Sequence, residues 1–122
     1  MKVVLAILMA VFFEVQAENW PQLRGPNGAG ISTEKGLPLQ WVAKDYAWKI
    51  KLPGIGHSSP IVWNDRVIVT SAANKGAQRY IDCYSAATGK PVWRKTLEGI
   101  THPKHALNSF ASATPATDGK RV

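Results

Sequence analysis

The side chains best suited to chemistry or ligand binding in this chain are three histidines and one asparagine. His57 stands alone, whereas His102, His105 and Asn108 lie close together in a second segment. Imidazole nitrogens and amide groups can ligate a metal ion or hydrogen-bond an anion. They can equally hydrogen-bond the backbone of the loops that contain them. The sequence leaves both interpretations open, and these four residues are the ligand-binding candidates.

The carboxylates and the single cysteine indicate no catalytic group. Asp65 and Asp118 lie among turn-forming residues, and Asp82 is predicted at the surface of a strand. No two carboxylates are therefore placed for general acid–base catalysis. Cys83 is the only cysteine, so it has no disulfide partner within the chain and no metal-site spacing. We expect it to be a buried structural thiol, and the sequence indicates no catalytic residue and no metal site.

The charge pattern argues against a nucleic-acid partner. The chain has 122 residues, of which 45% are hydrophobic and 19% charged, and its net charge is +7. Its basic residues occur singly or in pairs such as Arg94-Lys95, and no block of like charge resembles a nucleic-acid-binding tail. A solvated basic surface and an affinity for acidic polysaccharide or other anionic envelope material are the two interpretations.

The N-terminal residues predict secretion. Lys2 precedes an apolar run, Val3–Phe13, that is too short to span a bilayer, and residues 15–17 suit a cleavage site. Residues 1–17 are therefore predicted to be a signal peptide; the alternative is a buried N-terminal helix. No cysteine follows the run to carry a lipid, so we expect a mature protein without a membrane span, in the periplasm or outside the cell.

The rest of the chain divides into an extension and a β-rich region. Residues 18–45 form a Trp/Pro/Gly-rich extension, in which Asn19–Gly30 predicts a loop because glycine and proline are dense there. Residues 46–122 form the β-rich region. Tyr46–Leu52 alternates apolar residues with lysines, which predicts a strand with one solvated face.

Four further strand patterns follow within about forty residues, which is the size of one propeller blade. Asn64-Asp65 predicts a tight turn between the first two. The strands are expected at residues 61–63, 66–72, 80–85 and 91–97.

An internal repeat connects the two ends of the β-rich region. Ser59–Val67 aligns with Thr114–Val122 at an offset of 55 residues, with proline, arginine and valine at matching positions and turn residues between the strands of each copy. Repeats of about this period are typical of propellers or solenoids, whose units bury their apolar faces against neighbouring units.

The turn between the last two strands resembles a known family. Thr88, Gly89, Lys90 and Trp93 match the repeat motif of the PQQ-like β-propellers, and Ser85 stands where that family usually has aspartate. In the family, the tryptophan docks over the glycine-containing turn of a neighbouring blade. The Asn19–Gly30 loop also resembles the opening segment of many secreted members.

The resemblance implies an all-β fold with one four-stranded blade at about 57–98 and the start of a second at about 108–122. It further implies a complete propeller of about seven or eight blades. The missing blades would then be the first partners of this chain, and the outer strand of the last blade would be the one predicted at Tyr46–Leu52.

The resemblance implies two functions, and composition adds a third. The first is a non-catalytic binding or interaction scaffold, as in the BamB-like propellers of outer-membrane assembly, which contact other envelope proteins. The alternative is a fragment of a PQQ-dependent alcohol or sugar dehydrogenase. Such enzymes hold PQQ and Ca²⁺, usually beneath a vicinal disulfide, and no Cys-Cys pair occurs here. No cofactor is evident in these residues, so PQQ and Ca²⁺ would belong to the full-length protein. The third is a binder of acidic polysaccharide.

Overall fold

A computed structural model describes residues 18–122. The predicted signal peptide, residues 1–17, lies outside the described residues. Within the described range, no helix has the length and apolar character needed to cross a membrane.

The described chain is all-β, as predicted. Two short 3₁₀ turns, Ala43–Asp45 and Asn74–Gly76, are its only helical elements in the described range. The sheet has four antiparallel strands in chain order, so each strand pairs with the one before it. The strands are β1 (Ile61–Trp63), β2 (Arg66–Ala73), β3 (Gln78–Ser85) and β4 (Pro91–Glu98). All four predicted strands of the 61–97 region are therefore confirmed to within about two residues.

Turn chemistry sets where the strands begin and end. Asn64 adopts a left-handed φ of +50° in the β1–β2 turn, and Gly89 a φ of +68° in the β3–β4 turn. Pro91 opens β4 beside a β-bulge, since Tyr84 pairs with Pro91 while Cys83 pairs with Trp93. Proline lacks an N–H, so the start of a strand next to a bulge costs it no ladder hydrogen bond.

The apolar core lies on one face of the sheet. Ile61, Ile68 and Cys83 are buried side by side there, and Ile81 packs against them half-buried. Burial raises the pKa of the Cys83 thiol. The predicted buried position of this cysteine is confirmed, and its surroundings disfavour the reactive thiolate.

Asp82 was predicted at the surface of its strand, and that prediction is wrong. Asp82 is 1% exposed on the face opposite the core. Arg94 pairs with it through Nε at 2.5 Å, the Tyr84 hydroxyl donates to it at 3.3 Å, and the Arg94 guanidinium lies 5.4 Å from the Tyr80 ring centroid. The carboxylate is buried because arginine and tyrosine side chains cover this face.

The strand predicted at Tyr46–Leu52 is also absent from the structure. Trp48, Ile50 and Leu52 are nevertheless half-buried and the lysines between them exposed, so the alternation that suggested the strand is present. A strand additionally needs a partner to share its ladder, and within the described residues this segment has none.

Trp48 packs on the β3–β4 turn instead. Its Nε1 donates a 2.7 Å hydrogen bond to the carbonyl of Ala86. A Cβ built at Gly89 would lie 2.7 Å from Cδ2 of Trp48, so only glycine allows the ring so close. A tryptophan over a glycine turn is the contact that the resemblance attributes to neighbouring blades.

The second copy of the repeat packs on the first without forming strands. Residues 114–122 contain a turn, with Gly119 at φ +85° against the ring of Trp63, but no ladder. The repeat places the pairing strand from Arg121 onward, and no strand forms there within the described residues. The predicted first strand of this copy is therefore unpaired, and the contacts between the copies hold it instead.

The N-terminal extension joins both copies of the repeat. Trp20 forms an isolated antiparallel bridge with Val62 on the free edge of β1, and the carbonyl of Pro21 accepts a 2.9 Å hydrogen bond from the N–H of Thr117. This part of the predicted loop thus covers the free edge of β1, where unpaired backbone groups would otherwise face solvent.

Candidate functional site

Two adjoining cavities lie at the end of the sheet where β2 turns into β3. The larger has a volume of about 600 Å³ and the smaller about 360 Å³. Both are lined by Lys104, Asn108, Ser109 and Phe110. They therefore form two compartments of one site.

The other lining residues come from the loop before β1, the β2–β3 turn and the segment after β4. The larger compartment is also lined by Gly54, Ile55, Gly56, His57, Ala72, Ala73, Asn74, Lys75, Gly76 and Ala106. The smaller is also lined by Arg79, His102, Pro103 and His105.

The β2–β3 turn forms one wall through an uncommon backbone conformation. Asn74, Lys75 and Gly76 all have positive φ, at +50°, +52° and +87°. Asparagine and glycine tolerate this region, whereas it costs lysine about 1 kcal/mol or more. The conformation turns the chain within three residues and places Lys75 on the cavity lining.

Phe110 holds the segment after β4 against this turn. A Cβ built at Gly76 would lie 2.5 Å from Cδ1 of Phe110, so the ring rests directly on the glycine backbone. The ring of His102 meets Phe110 edge-on, with centroids 5.1 Å apart. Phe110 thereby forms the wall shared by the two compartments.

Hydrogen bonds decide the tautomer of His102. Its Nδ1 lies 2.9 Å from the carbonyl oxygen of Pro103, which can only accept. Its Nε2 lies 3.4 Å from a guanidinium nitrogen of Arg79, which can only donate. Nδ1 therefore carries the proton and Nε2 accepts. Arg79 is itself positioned by a 3.3 Å hydrogen bond from Nε to the carbonyl of Gly76.

His105 has the opposite tautomer to His102. Its Nδ1 accepts a 3.2 Å hydrogen bond from the backbone N–H of Leu107, so its Nε2 carries the proton and is a donor. The N–H of Asn108 donates to the carbonyl of His105 at 3.0 Å and closes this turn. The turn thus places the side chains of both residues on the cavity lining.

The four candidates from the sequence meet at this site. His57 lines the larger compartment, His102 and His105 line the smaller, and Asn108 lines both. The backbone of His57 is tied to the second segment, since its N–H donates to Ala111 O at 3.1 Å.

Sequence reasoning missed three cationic residues of the site: Lys75, Arg79 and Lys104. Lys104 lies between two of the candidate histidines, and that proximity was a usable signal. Lys75 and Arg79 belong to the β2–β3 turn and the start of β3, more than twenty residues from His102. Nothing local to them in the sequence indicates that they meet it.

The site is strongly basic. Among the described residues that line the two compartments there is no aspartate or glutamate. The acidic residue of β4, Glu98, pairs with Gln78, whereas Arg79 pairs with Leu97. Because neighbouring residues of a strand point to opposite faces, Glu98 and Arg79 lie on different sides of the sheet.

The arrangement suits anions better than cations. In the described range, no three histidine, cysteine, aspartate or glutamate side chains lie close enough together to hold a metal ion. The groups that do converge are hydrogen-bond donors: a guanidinium, ammonium groups and an imidazole N–H.

Comparisons with known proteins identify no family. No family model, no curated protein and no solved structure matched the chain. The described residues establish an all-β chain with one four-stranded antiparallel sheet.

Proposed function

We propose that this chain belongs to a secreted, non-catalytic β-propeller of the PQQ-like type, which serves as a rigid scaffold for binding other molecules. The proposal is supported most directly by a contact between equivalent positions of the repeat. The N–H of Ser59 donates a 3.0 Å hydrogen bond to Oγ1 of Thr114, which is 55 residues further along the chain.

A contact between equivalent residues limits how the repeats can be related. Equivalent residues of two repeats can be in contact only where the symmetry operation that relates the repeats displaces them by a short distance. In a ring of repeats this operation is a rotation, and the displacement is smallest near the rotation axis. Ser59 directly precedes β1, and the sheet proceeds from β1 to β4 in order. The contact and the strand order support the proposed radial arrangement with β1 innermost, as in propellers. A β-solenoid, by contrast, stacks parallel strands, whereas all pairings here are antiparallel.

The outermost strand supports the same arrangement. Every residue of β4 is exposed, and its outer edge pairs with no strand in the described range. Trp93 and Leu97 are about two-fifths exposed on it, at 40% and 42%. In a propeller this edge forms the rim, and Trp93 is free to cover the turn of a following unit as Trp48 covers Gly89.

The N-terminal sequence supports a location in the periplasm or outside the cell, where envelope proteins are the natural partners of such a scaffold. The alternative function is that of a PQQ-dependent alcohol or sugar dehydrogenase, and it derives from the resemblance alone.

One experiment separates the two functions. The full-length protein is reconstituted with PQQ and Ca²⁺ and assayed for dye reduction with a panel of alcohols and sugars. We expect no substrate-dependent reduction. Turnover that requires both PQQ and a substrate would replace the scaffold by the dehydrogenase.

A second experiment tests the ring. In the full-length protein, Trp93→Ala should lower the melting temperature by several degrees, because Trp93 packs on the next unit there. Trp41→Ala, which removes a 56% exposed tryptophan from the extension, is the matched control and should have little effect. Equal, small effects of both substitutions, or an elongated particle by small-angle scattering, would contradict the ring.

A further inference from the structure

We infer that the two compartments beside the β2–β3 turn form one binding site for an oxoanion carried by a small organic molecule or an acidic sugar. The inference goes beyond the scaffold function and does not depend on closure of a ring. It rests on the charges, the donors and the shape of the site.

The charges of the site lack an internal counter-ion. Lys75, Arg79 and Lys104 come from two separate segments; Arg79 lines the smaller compartment, Lys75 the larger one, and Lys104 lines both. The described lining contains no carboxylate, and none of these three side chains takes part in an ion pair within the described range. Cations that line one site with no carboxylate among them attract an anion.

Hydrogen bonds within the protein orient the donor groups of Arg79 and His105. Nε of Arg79 donates to the carbonyl of Gly76 at 3.3 Å, and one terminal guanidinium nitrogen lies 3.4 Å from Nε2 of His102. These two contacts orient the guanidinium and leave its remaining N–H groups for a ligand. Because Nδ1 of His105 accepts from the N–H of Leu107, its Nε2–H is a further donor. A guanidinium beside other N–H donors is the arrangement that proteins use for carboxylate, sulfate and phosphate groups.

The shape favours an oxoanion attached to a larger body. The smaller compartment is lined by the guanidinium and the two histidines, whereas the larger includes Ile55, Phe110 and three alanines. The volumes of about 600 Å³ and 360 Å³ lie in the range of small-molecule sites. We therefore place the oxoanion in the smaller compartment and the body of the molecule, such as a sugar ring, in the larger one.

Calorimetric titration of the full-length protein tests the inference with three probes. A galacturonate trisaccharide carries carboxylates on sugar rings, maltotriose is a neutral sugar of the same size, and inorganic phosphate is a free oxoanion. We expect the galacturonate trisaccharide to bind and maltotriose not to bind. Competition by phosphate would show that the oxoanion is the recognised group.

Two substitutions locate the binding. Lys104→Gln removes a charge whose side chain makes no hydrogen bond to the described residues, and should weaken binding about threefold to tenfold. Arg79→Gln should weaken it at least tenfold. Lys90→Gln removes the same charge at the opposite end of β3 and should leave the affinity unchanged. Circular dichroism verifies that each variant is folded.

The outcomes are decisive either way. Binding of phosphate without binding of the galacturonate trisaccharide would overturn the inference that the oxoanion is attached to a larger body. The inference is overturned if neither anion binds, if maltotriose binds as well as the galacturonate, or if Lys90→Gln weakens binding as much as Lys104→Gln. The last result would mean that general positive charge, not this site, attracts the anion.

Discussion

Ser59 and Thr114 occupy equivalent positions of the internal repeat, and the N–H of the first donates a 3.0 Å hydrogen bond to the hydroxyl oxygen of the second. The bond is part-buried, so water replaces it poorly. A second bond runs alongside it, from the Thr70 hydroxyl to the carbonyl of Ala113 at 3.2 Å. These bonds connect the first repeat to the second.

Thr114→Val should therefore loosen the contact between the repeats. The substitution keeps the shape of the side chain but removes the acceptor, which leaves the N–H of Ser59 unpaired. We expect a loss of about 1 to 2 kcal/mol in the free energy of unfolding, measured by urea denaturation. Thr114→Ser keeps the oxygen and should cost less; equal losses from both variants would show that the hydrogen bond contributes nothing.

Gly89→Ala should be much more destabilising than an ordinary glycine substitution. The residue has φ +68°, and its new Cβ would lie 2.7 Å from the ring of Trp48. Backbone strain and overpacking together should cost about 2 to 4 kcal/mol of unfolding free energy.

Gly28→Ala is the matched control for this prediction. Gly28 has nearly the same φ, +71°, but nothing lies within 4 Å of the position where its Cβ would be. It should show only the backbone cost, about 1 kcal/mol. In a Trp48→Ala background the excess cost of Gly89→Ala should fall, and an unchanged excess would mean that the indole is not its source.

Arg94→Gln should lower the free energy of unfolding, because Asp82 is buried and pairs with Arg94. Asp82 is 1% exposed, and loss of the guanidinium would leave its carboxylate with only the Tyr84 hydroxyl as a side-chain donor. The pair raises the pKa of Arg94, mainly through the hydrogen bond to Asp82. Since the Arg94 side chain is 46% exposed, we expect a loss of about 2 kcal/mol, below that of a fully buried pair.

Lys95→Gln serves as the control, because Lys95 is the exposed neighbour of Arg94 on the other face of β4. Thermal denaturation should show little change for it. An Asp82→Asn background should reduce the cost of Arg94→Gln, since no buried charge then remains. Equal costs in both backgrounds would contradict the ion-pair explanation.

Asp65→Asn should change how stability depends on pH. The N–H of Ala87 donates to Asp65 at 2.9 Å, and this bond, with lesser help from Ser85 and Arg66, lowers the pKa of Asp65 below its ordinary 3.8. A carboxyl whose folded pKa is lowered stabilises the fold fully above its unfolded pKa and loses that effect as the pH falls through the folded pKa.

The difference in unfolding free energy between the wild type and Asp65→Asn should thus be constant above about pH 5 and shrink at lower pH. Urea denaturation at a series of pH values measures it. Glu98→Gln, which replaces an exposed carboxylate of β4, should give no such change. A pH-independent difference would show that the charge of Asp65 has no part in stabilising the turn.

The same carboxylate is an acceptor in the turn that begins at Ser85. Ser85 stands where the PQQ-like pattern has aspartate, and its hydroxyl accepts the N–H of Thr88 at 3.3 Å. The stronger acceptor in the turn is Asp65, which comes from the β1–β2 turn twenty-two residues before Ala87. The β3–β4 turn thus begins with a serine and receives its stronger acceptor from the β1–β2 hairpin.

Features that depend on neighbours along the chain could be predicted from the sequence. The strand bounds, the turn at Asn64, the positive φ of Gly89 and the place of Pro91 at the start of β4 all follow from local conformational preferences. The repeat likewise revealed that Ser59 and Thr114 are equivalent, although not that they touch.

Features that depend on which surfaces meet were decided by the tertiary structure. Alternation assigns Asp82 to a face of β3 but does not indicate that Arg94 and Tyr84 cover that face. The sequence suggested a strand at Tyr46–Leu52, but pairing requires a second chain segment at the right distance.

The candidate site shows the same division. The sequence by itself determined an all-β sheet, its turns and the segments that hold His57, His102, His105 and Asn108. Only the tertiary structure places Arg79 beside His102. The contact depends on the register of the strands and on the path of the segment after β4, and local sequence patterns predict neither.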